Sequence, residues 1–261
     1  MNLYDAIFMR KSVRNYKMEQ LSDALLAQIL NFSSHISVIS DTCKVSFEII
    51  STYQNCGHVG HYSVKAPYYF VLITDKDDTS AVNAGYIMEQ VSLYMYTKEL
   101  GSCFVGLHNL KKEFKLSDTQ TAYVLAFGKA IGTPYRDSSK SKRAAIEEIA
   151  VFKEKGNENM ERLLEAARLA PSGYNSQPWR FVVSKNRIHL FCKKEQVKFL
   201  KRYSLYPYDV GIALGNLMVA GEELWLNLAV KTNEAIAEKK FKNNVYMLTV
   251  LVDSQQLELE L

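Results

Sequence analysis

Ala170-Pro171-Ser172-Gly173-Tyr174-Asn175-Ser176-Gln177-Pro178-Trp179-Arg180-Phe181 is the stretch on which the reading of the fold turns. It joins a helical pattern to a strand pattern, and no folding need explains its content. Before it, Asn159 to Ala170 places Leu163, Leu164, Ala167 and Leu169 at helical spacing. After it, Arg180–Val183 and Ile188–Cys192 read as a strand hairpin around Lys185-Asn186-Arg187. The amides of Asn175 and Gln177 donate and accept in one plane, which suits the edge of a heteroaromatic ring. Pro171 and Pro178 stiffen the loop, and Trp179 can pin it against a core. On residue types alone, an Asx turn between prolines over a buried Trp fits as well.

The pattern around this stretch occurs twice. A long helix from about Tyr208 to Leu226 and a closing strand, Val245–Val252, complete the later copy. In the earlier one, Asn2–Phe8 reads as a short helix, and Ser22 is placed to cap a second helix over Asp23–Leu30. Tyr68–Asp75 is a continuous β-rich run, a long helix is expected from about Ser80 to Leu100 with Gly101 as its C-cap, and Ala122–Phe127 is a second buried strand closed by Gly128. Residues 132–143 form a polar, basic loop. Asn83-Ala84-Gly85 in one long helix matches Asp209-Val210-Gly211 in the other, and the apolar positions keep step beyond them. Leu25-Leu26 likewise echoes Leu163-Leu164. Either match alone fits two unrelated amphipathic helices. Their shared order and spacing predict a tandem duplication, with residues 1–150 as one half and 151–261 as a shortened second half.

Composition excludes several classes. The 261 residues are 48% hydrophobic and 23% charged, which is globular rather than disordered or fibrous. A net charge of +4 leaves no nucleic-acid footprint but suits an anionic small molecule. Cys43, Cys56, Cys103 and Cys192 form no CxxC pair and read as reduced thiols of a cytoplasmic protein. The opening residues lack the apolar region of a signal peptide, and no run approaches the roughly 20 apolar residues of a membrane span. Cys56, His58 and His61 could ligate zinc, yet no second ligand pair stands nearby, so no metal is expected. No G-x-S-x-G elbow, GxGxxG or Walker A motif occurs.

Two further segments carry chemistry. Arg10-Lys11-Ser12-Val13-Arg14 gathers three cations and a hydroxyl, which suits a phosphate monoester; a solvated basic stretch is the alternative. Extended, it would set Ser12 and Arg14 on one face and Val13 on the other. Leu100-Gly101-Ser102-Cys103-Phe104-Val105-Gly106 offers two glycines five apart, where backbone N–H groups can approach a ligand; a helix cap and strand start is the alternative.

Taken together these segments resemble the nitroreductase-like flavoprotein family. Arg10–Arg14 is similar to its R-R/K-S-x-R opening, and Ala170–Trp179 to its A-P-S-x-x-N-x-Q-P-W motif. Leu100–Gly106 resembles its L-G-x-x-x-x-G turn beside the flavin. Phe127-Gly128, then Lys140, Lys142 and Arg143, then Ile146–Ile149 look like its late strand, basic loop and closing helix. The resemblance implies an α+β fold with a mostly antiparallel central sheet flanked by helices, here internally duplicated. It also implies FMN as cofactor, NADH or NADPH as donor, and a small nitroaromatic- or quinone-like acceptor. Lys140, Lys142 and Arg143 would hold the FMN phosphate with Arg10. Arg10 or Arg14 would face the N1 end of the ring, and the backbone of Val105 or Gly106 the N5 end. Lys11, Ser12, Pro171, Ser172, Asn175 and Gln177 would complete the site, with no side chain obligatory as acid or base.

In ordinary members the A-P-S-x-x-N motif follows the first helix, where this chain has Phe32-Ser33-Ser34-His35-Ile36-Ser37-Val38-Ile39 instead. Family homodimers build the flavin site from both subunits. The displacement therefore implies a fused pseudo-dimer with one FMN per chain, for which a monomer suffices. A flavin-binding or storage module without turnover, or a specialised reductase such as a dehalogenase, would carry the same motifs.

Overall fold

The computed structural model describes residues 1–52, 64–105, 114–154, 158–194 and 206–253. The chain begins with α1 (Leu3–Met9), whose N-cap Asn2 accepts from the Asp5 N–H at 2.8 Å. Ser22 caps α2 (Asp23–His35) as its position predicts. Next come β1 (Val45–Ser51), β2 (Tyr68–Asp75), the long α3 (Asp78–Thr97), β3 (Gly101–Val105) and β4 (Gln120–Gly128). The basic loop leads through a short 3-10 turn, Ser138–Lys140, to α4 (Ile146–Ile149) and β5 (Ala150–Phe152). Then follow α5 (Glu158–Arg168), β6 (Trp179–Ser184), β7 (Arg187–Lys193), α6 (Tyr206–Glu223), β8 (Asn227–Lys231), α7 (Glu234–Ala237) and β9 (Asn244–Asp253).

These strands make two sheets, ordered β1-β2-β4-β3 and β5-β6-β7-β9-β8. Every neighbouring pair is antiparallel except β5 with β6. Leaving β5 aside, the orders correspond strand for strand, with β1, β2, β4 and β3 answering to β6, β7, β9 and β8. Helices correspond as well: α2 precedes β1 as α5 precedes β6, and α3 follows β2 as α6 follows β7. This is the mostly antiparallel α+β layout that the sequence implies, and the two sheets repeat one strand order. β5, at residues 150–152, adds a parallel strand to the edge of the second sheet. Phe70, Phe127, Trp179 and Phe181 are fully buried in one core that includes residues of both halves. Burying each such side chain is worth about 1.5–3 kcal/mol.

The matched glycines meet. A Cβ on Gly85 would lie 2.0 Å from the Tyr208 carbonyl oxygen, and one on Gly211 would lie 2.0 Å from that of Val82. Each glycine thus faces the residue three positions before the other, a reciprocal contact of the kind a two-fold axis produces. The same reciprocity holds two positions before each glycine. Asn83 Oδ1 accepts from the Ile39 N–H at 2.9 Å, and Asp209 accepts from the Gly173 N–H at 3.1 Å. The loop after α2 and the loop after α5 are therefore anchored alike on α3 and α6.

Gly101 differs from its expected role. Helix α3 stops at Thr97, Glu99 takes the left-handed turn at φ 61°, and Gly101 opens β3. Glycine is needed there because a Cβ would meet Val13 Cγ2 at 2.6 Å. The segment read as a ligand-side turn, Leu100–Gly106, is thus strand β3 through Val105, and Gly106 lies outside the described residues. No sequence pattern marks β1, β5, β8 or α7. Among the described residues no helix is long and apolar enough to cross a membrane, and no three His, Cys, Asp or Glu groups gather to hold a metal. Cys56, His58 and His61 lie outside the described residues.

Candidate functional site

The arginine segment lies between β3 and the basic loop. Ser12 bridges Ser102 in parallel, and the Val13 N–H donates to the Ser102 carbonyl at 2.9 Å. On the other side Arg10 bridges Tyr135, and the Arg136 N–H donates to the Met9 carbonyl at 2.7 Å. This extended path buries Val13 and exposes Arg14, the opposition that alternation predicts. Lys11 reaches Thr133 of the basic loop at 3.4 Å.

Arg10 turns inward. It is only 3% exposed, and its Nη1 lies 3.8 Å from Oε1 of Glu89 on α3, which is wholly buried. Its guanidinium carbon also sits 6.0 Å from the centre of the Phe104 ring. Arg136 and Arg143 bring two more positive charges to Glu89. Among the described residues, both Glu89 carboxylate oxygens, Arg10 Nη2, Arg136 Nε and Arg143 Nε have no hydrogen-bond partner. Buried polar groups are rarely left so, and several around one point mark a place that other atoms complete. Burial, then Arg136 and Arg10, pull Arg143 down to about 10, the response of a cation crowded by cations.

The A-P-S loop closes over this cluster from the second half. Arg143 Nη1 donates to Asn175 Oδ1 at 2.9 Å, and Asn175 Nδ2 donates to the Lys142 carbonyl at 3.0 Å. The Ala144 N–H donates to Gln177 Oε1 at 2.8 Å, and Gln177 Nε2 returns to the Asn175 carbonyl at 3.2 Å. The Ser172 hydroxyl accepts from the Gln177 N–H at 3.0 Å. The two amides that residue types suggested for a ring edge are thus engaged in holding the basic loop. Tyr174, Asn175 and Gln177 all have positive φ, at 53°, 57° and 47°. Such backbone costs about 1–3 kcal/mol per residue and persists only where its surroundings enforce it. Here Asp209, buried at the start of α6, does so by accepting from the Gly173 N–H and from Ser176 Oγ at 3.3 Å.

The structure therefore gathers Arg10, Lys11, Ser12, Lys142, Arg143, Ser172, Asn175 and Gln177 where the segment after α1, the basic loop and the A-P-S loop meet. Pro171 is buried in the same loop, while Lys140 and Arg14 stand exposed. Val105 closes β3, paired with Val124. Sequence reasoning missed Glu89, Arg136 and Asp209. Glu89 had a signal, as a lone carboxylate in the apolar run Ala84–Val91, but its arginine partners come from distant parts of the chain.

Burial pushes Glu89 up to about 7, with Arg10, Arg143 and Arg136 holding it from rising further. Burial likewise raises Asp209 to about 7, against the hydrogen bonds from Gly173 and Ser176. Between about pH 4 and 7 the unfolded chain has lost these two protons while the folded chain keeps them. Stability therefore falls as pH rises through this window, by roughly 3–4 kcal/mol per carboxylate. Urea midpoints should accordingly be higher at pH 5 than at pH 7.5, and Glu89→Gln should remove part of the difference.

A solved structure from Thermotoga maritima, described as a "putative nitroreductase", superposes with a TM-score of 0.67 at 19% identity, covering 97% of this chain and 95% of that one. That likeness shows the fold. A nitroreductase family protein from Clostridium difficile 630 matches at 18% identity, 57% of this chain and 96% of that one, with a TM-score of 0.49. An FMN-dependent nitroreductase from Clostridium difficile R20291 matches at 18% identity, 52% of this chain and 93% of that one, with a TM-score of 0.44. No curated protein matches the chain. The family described as "Putative TM nitroreductase" matches residues 2–221, most of the chain, and the protein belongs to this nitroreductase family.

Proposed function

We propose that the protein is an FMN-dependent oxidoreductase that takes electrons from NADH or NADPH and passes them to a small nitroaromatic- or quinone-like acceptor. The observation that carries this reading is the buried arginine cluster with unpartnered donors, tied by Arg143 and Asn175 to the A-P-S loop. Those donors fit a phosphate monoester, whose oxygens take several charged N–H groups at once. FMN would supply the hydride chemistry; the chain supplies binding, orientation and charge.

In this reading Arg136 and Arg143, half-exposed, would take the phosphate, with Lys140 and Lys142 at the rim. Arg10 adds its charge from beneath. Arg14, exposed from the same segment, is free to face the electron-rich end of the ring, where positive charge favours the reduced cofactor. Ser12 and the end of β3 at Val105 would border the ring. Pro171 and Ser172 shape the covering loop, and Asn175 and Gln177 keep the basic loop in register. One such seam implies one FMN per chain. The corresponding sheet orders and the reciprocal glycine contact support a fused duplication, with residues 1–150 and 151–261 as halves. Such a chain completes its site as a monomer. The buried free thiols Cys43 and Cys103 suit a reducing cytoplasm.

Anaerobic titration of the FMN-loaded protein with NADH and NADPH tests the activity. Bleaching of the flavin absorbance by either donor, reversed by a nitroaromatic or a quinone, is the expected result. A yellow protein that neither donor bleaches would make it a flavin-binding module instead. Asn175→Ala tests the seam. It removes two hydrogen bonds to the basic loop, one of them charged, and should weaken FMN about 5- to 100-fold. Unchanged FMN affinity, read by flavin fluorescence, would contradict a site shared between the halves.

A further inference from the structure

We propose that Glu89 is a built-in counter-anion for the arginine cluster, holding the guanidinium groups together while the site is empty and taking up a proton when a dianionic phosphate enters. The inference rests on the proposed FMN site and concerns a residue that no cofactor contact requires.

Glu89 sits where a carboxylate is hardest to explain. It lies on α3 in an apolar run, wholly buried, with its stem against Gly215 of α6: a Cβ built on that glycine would be 3.1 Å from Glu89 Cβ. The charged groups facing it are Arg10 from the segment after α1, and Arg136 and Arg143 from the basic loop. From α6 it is faced by Tyr208, whose phenol stays neutral because burial raises it far above its ordinary value. Arg10, its ion-pair partner, stops at 3.8 Å, and neither carboxylate oxygen is hydrogen-bonded among the described residues. The carboxylate thus neutralises the cluster without using up its donors. Without it, three guanidinium groups would repel one another across a largely buried space.

A dianion entering the cluster changes that balance. Each arginine that turns to the phosphate gives Glu89 less, while two negative charges arrive nearby. Both effects favour the neutral acid. Glu89 already titrates near neutrality, so a small change moves its proton. The step balances as one proton from solvent added to the Glu89 carboxylate for each dianion bound, and no bond to the ligand is made or broken. Proton uptake on binding makes affinity rise as pH falls, by up to tenfold per pH unit for one proton. Above pH 7.5 the free phosphate is already dianionic, since its second proton leaves near pH 6, so the slope there belongs to the protein.

The test is isothermal titration of the protein with FMN, and separately with riboflavin, at pH 8 in buffers of different ionisation enthalpy. The expected result is close to one proton taken up per FMN and none per riboflavin, which lacks the phosphate. Glu89→Gln should abolish the uptake and tighten FMN several-fold at pH 8. Asp209 titrates in the same range beneath the A-P-S loop, which is why the Glu89 variant decides. Uptake that persists in Glu89→Gln, or equal uptake with riboflavin, would overturn the assignment. FMN binding to the wild type with no proton taken up would overturn this inference alone, whereas failure to bind FMN at all would overturn the proposed function beneath it. Should Glu89→Gln fail to fold, Asp209→Asn decides: uptake with FMN but not riboflavin that persists in that variant supports Glu89, and uptake that disappears there overturns it.

Discussion

Arg10→Ala should destabilise the protein at pH 8, with the share due to the stranded Glu89 carboxylate limited to about 1.4 kcal/mol, because a group that titrates near 7 can take a proton instead of staying charged. Arg10 and Glu89 are both almost inaccessible, with side-chain exposures of 4% and 1%. Solvent cannot replace the lost guanidinium. The cost should shrink towards pH 5, because Glu89 without Arg10 escapes by taking a proton. Adding Glu89→Gln to Arg10→Ala should recover that share of the lost stability while leaving FMN affinity low, since the cation itself is still missing. Urea unfolding at the two pH values, together with flavin titration of the single and double variants, separates the two effects. A single variant as stable as the wild type at pH 8 would mean that Glu89 is not held by Arg10.

Gly85→Ala and Gly211→Ala should each cost as much as the upper end of the roughly 1–3 kcal/mol typical of overpacking, or more. The clash is with backbone: each new Cβ would stand 2.0 Å from a carbonyl oxygen of the facing helix. No side chain can rotate away to relieve it, so α3 and α6 must separate. Those helices also carry Glu89 and Asp209, which sit under the arginine cluster and the A-P-S loop. Both variants should therefore lose FMN affinity along with stability, and to a similar extent because the contact is reciprocal. Denaturant midpoints and flavin titration of the two variants check this. A loss under 1 kcal/mol in both would show that the helices do not cross as closely as described.

The sequence signals that served best were those in which local chemistry and long-range need coincide. Tyr68–Asp75 is legible because a continuous β-rich run bounded by charge has few other fates, and Ser22 because a cap acts within one turn. The A-P-S loop stands out as a candidate site because it holds more amides and prolines than a turn requires. The partners of those amides were not legible. Asn175 and Gln177 bind the backbone of residues 142–144, more than 30 positions away, which residue types cannot reveal. Gly85 and Gly211 could be matched as a repeat, yet only the packed helices show that they touch. Gly101 misled for the opposite reason: Glu99 makes the left-handed turn usually left to glycine, and Gly101 instead makes room for Val13. β5 could hardly have been read, since three residues make a strand only by pairing with β6. Arg136 stood in plain view within the basic loop, but nothing local distinguished it from the exposed lysines beside it.

The most direct test of the central claim, one FMN site built from both halves of a single chain, is a flavin titration of the monodisperse protein at known chain concentration. Saturation at one FMN per chain, with FMN affinity lowered at least roughly 5-fold in Arg143→Ala and Asn175→Ala alike, is the predicted result. Two FMN per chain, or an affinity unchanged by loss of Asn175, would contradict it.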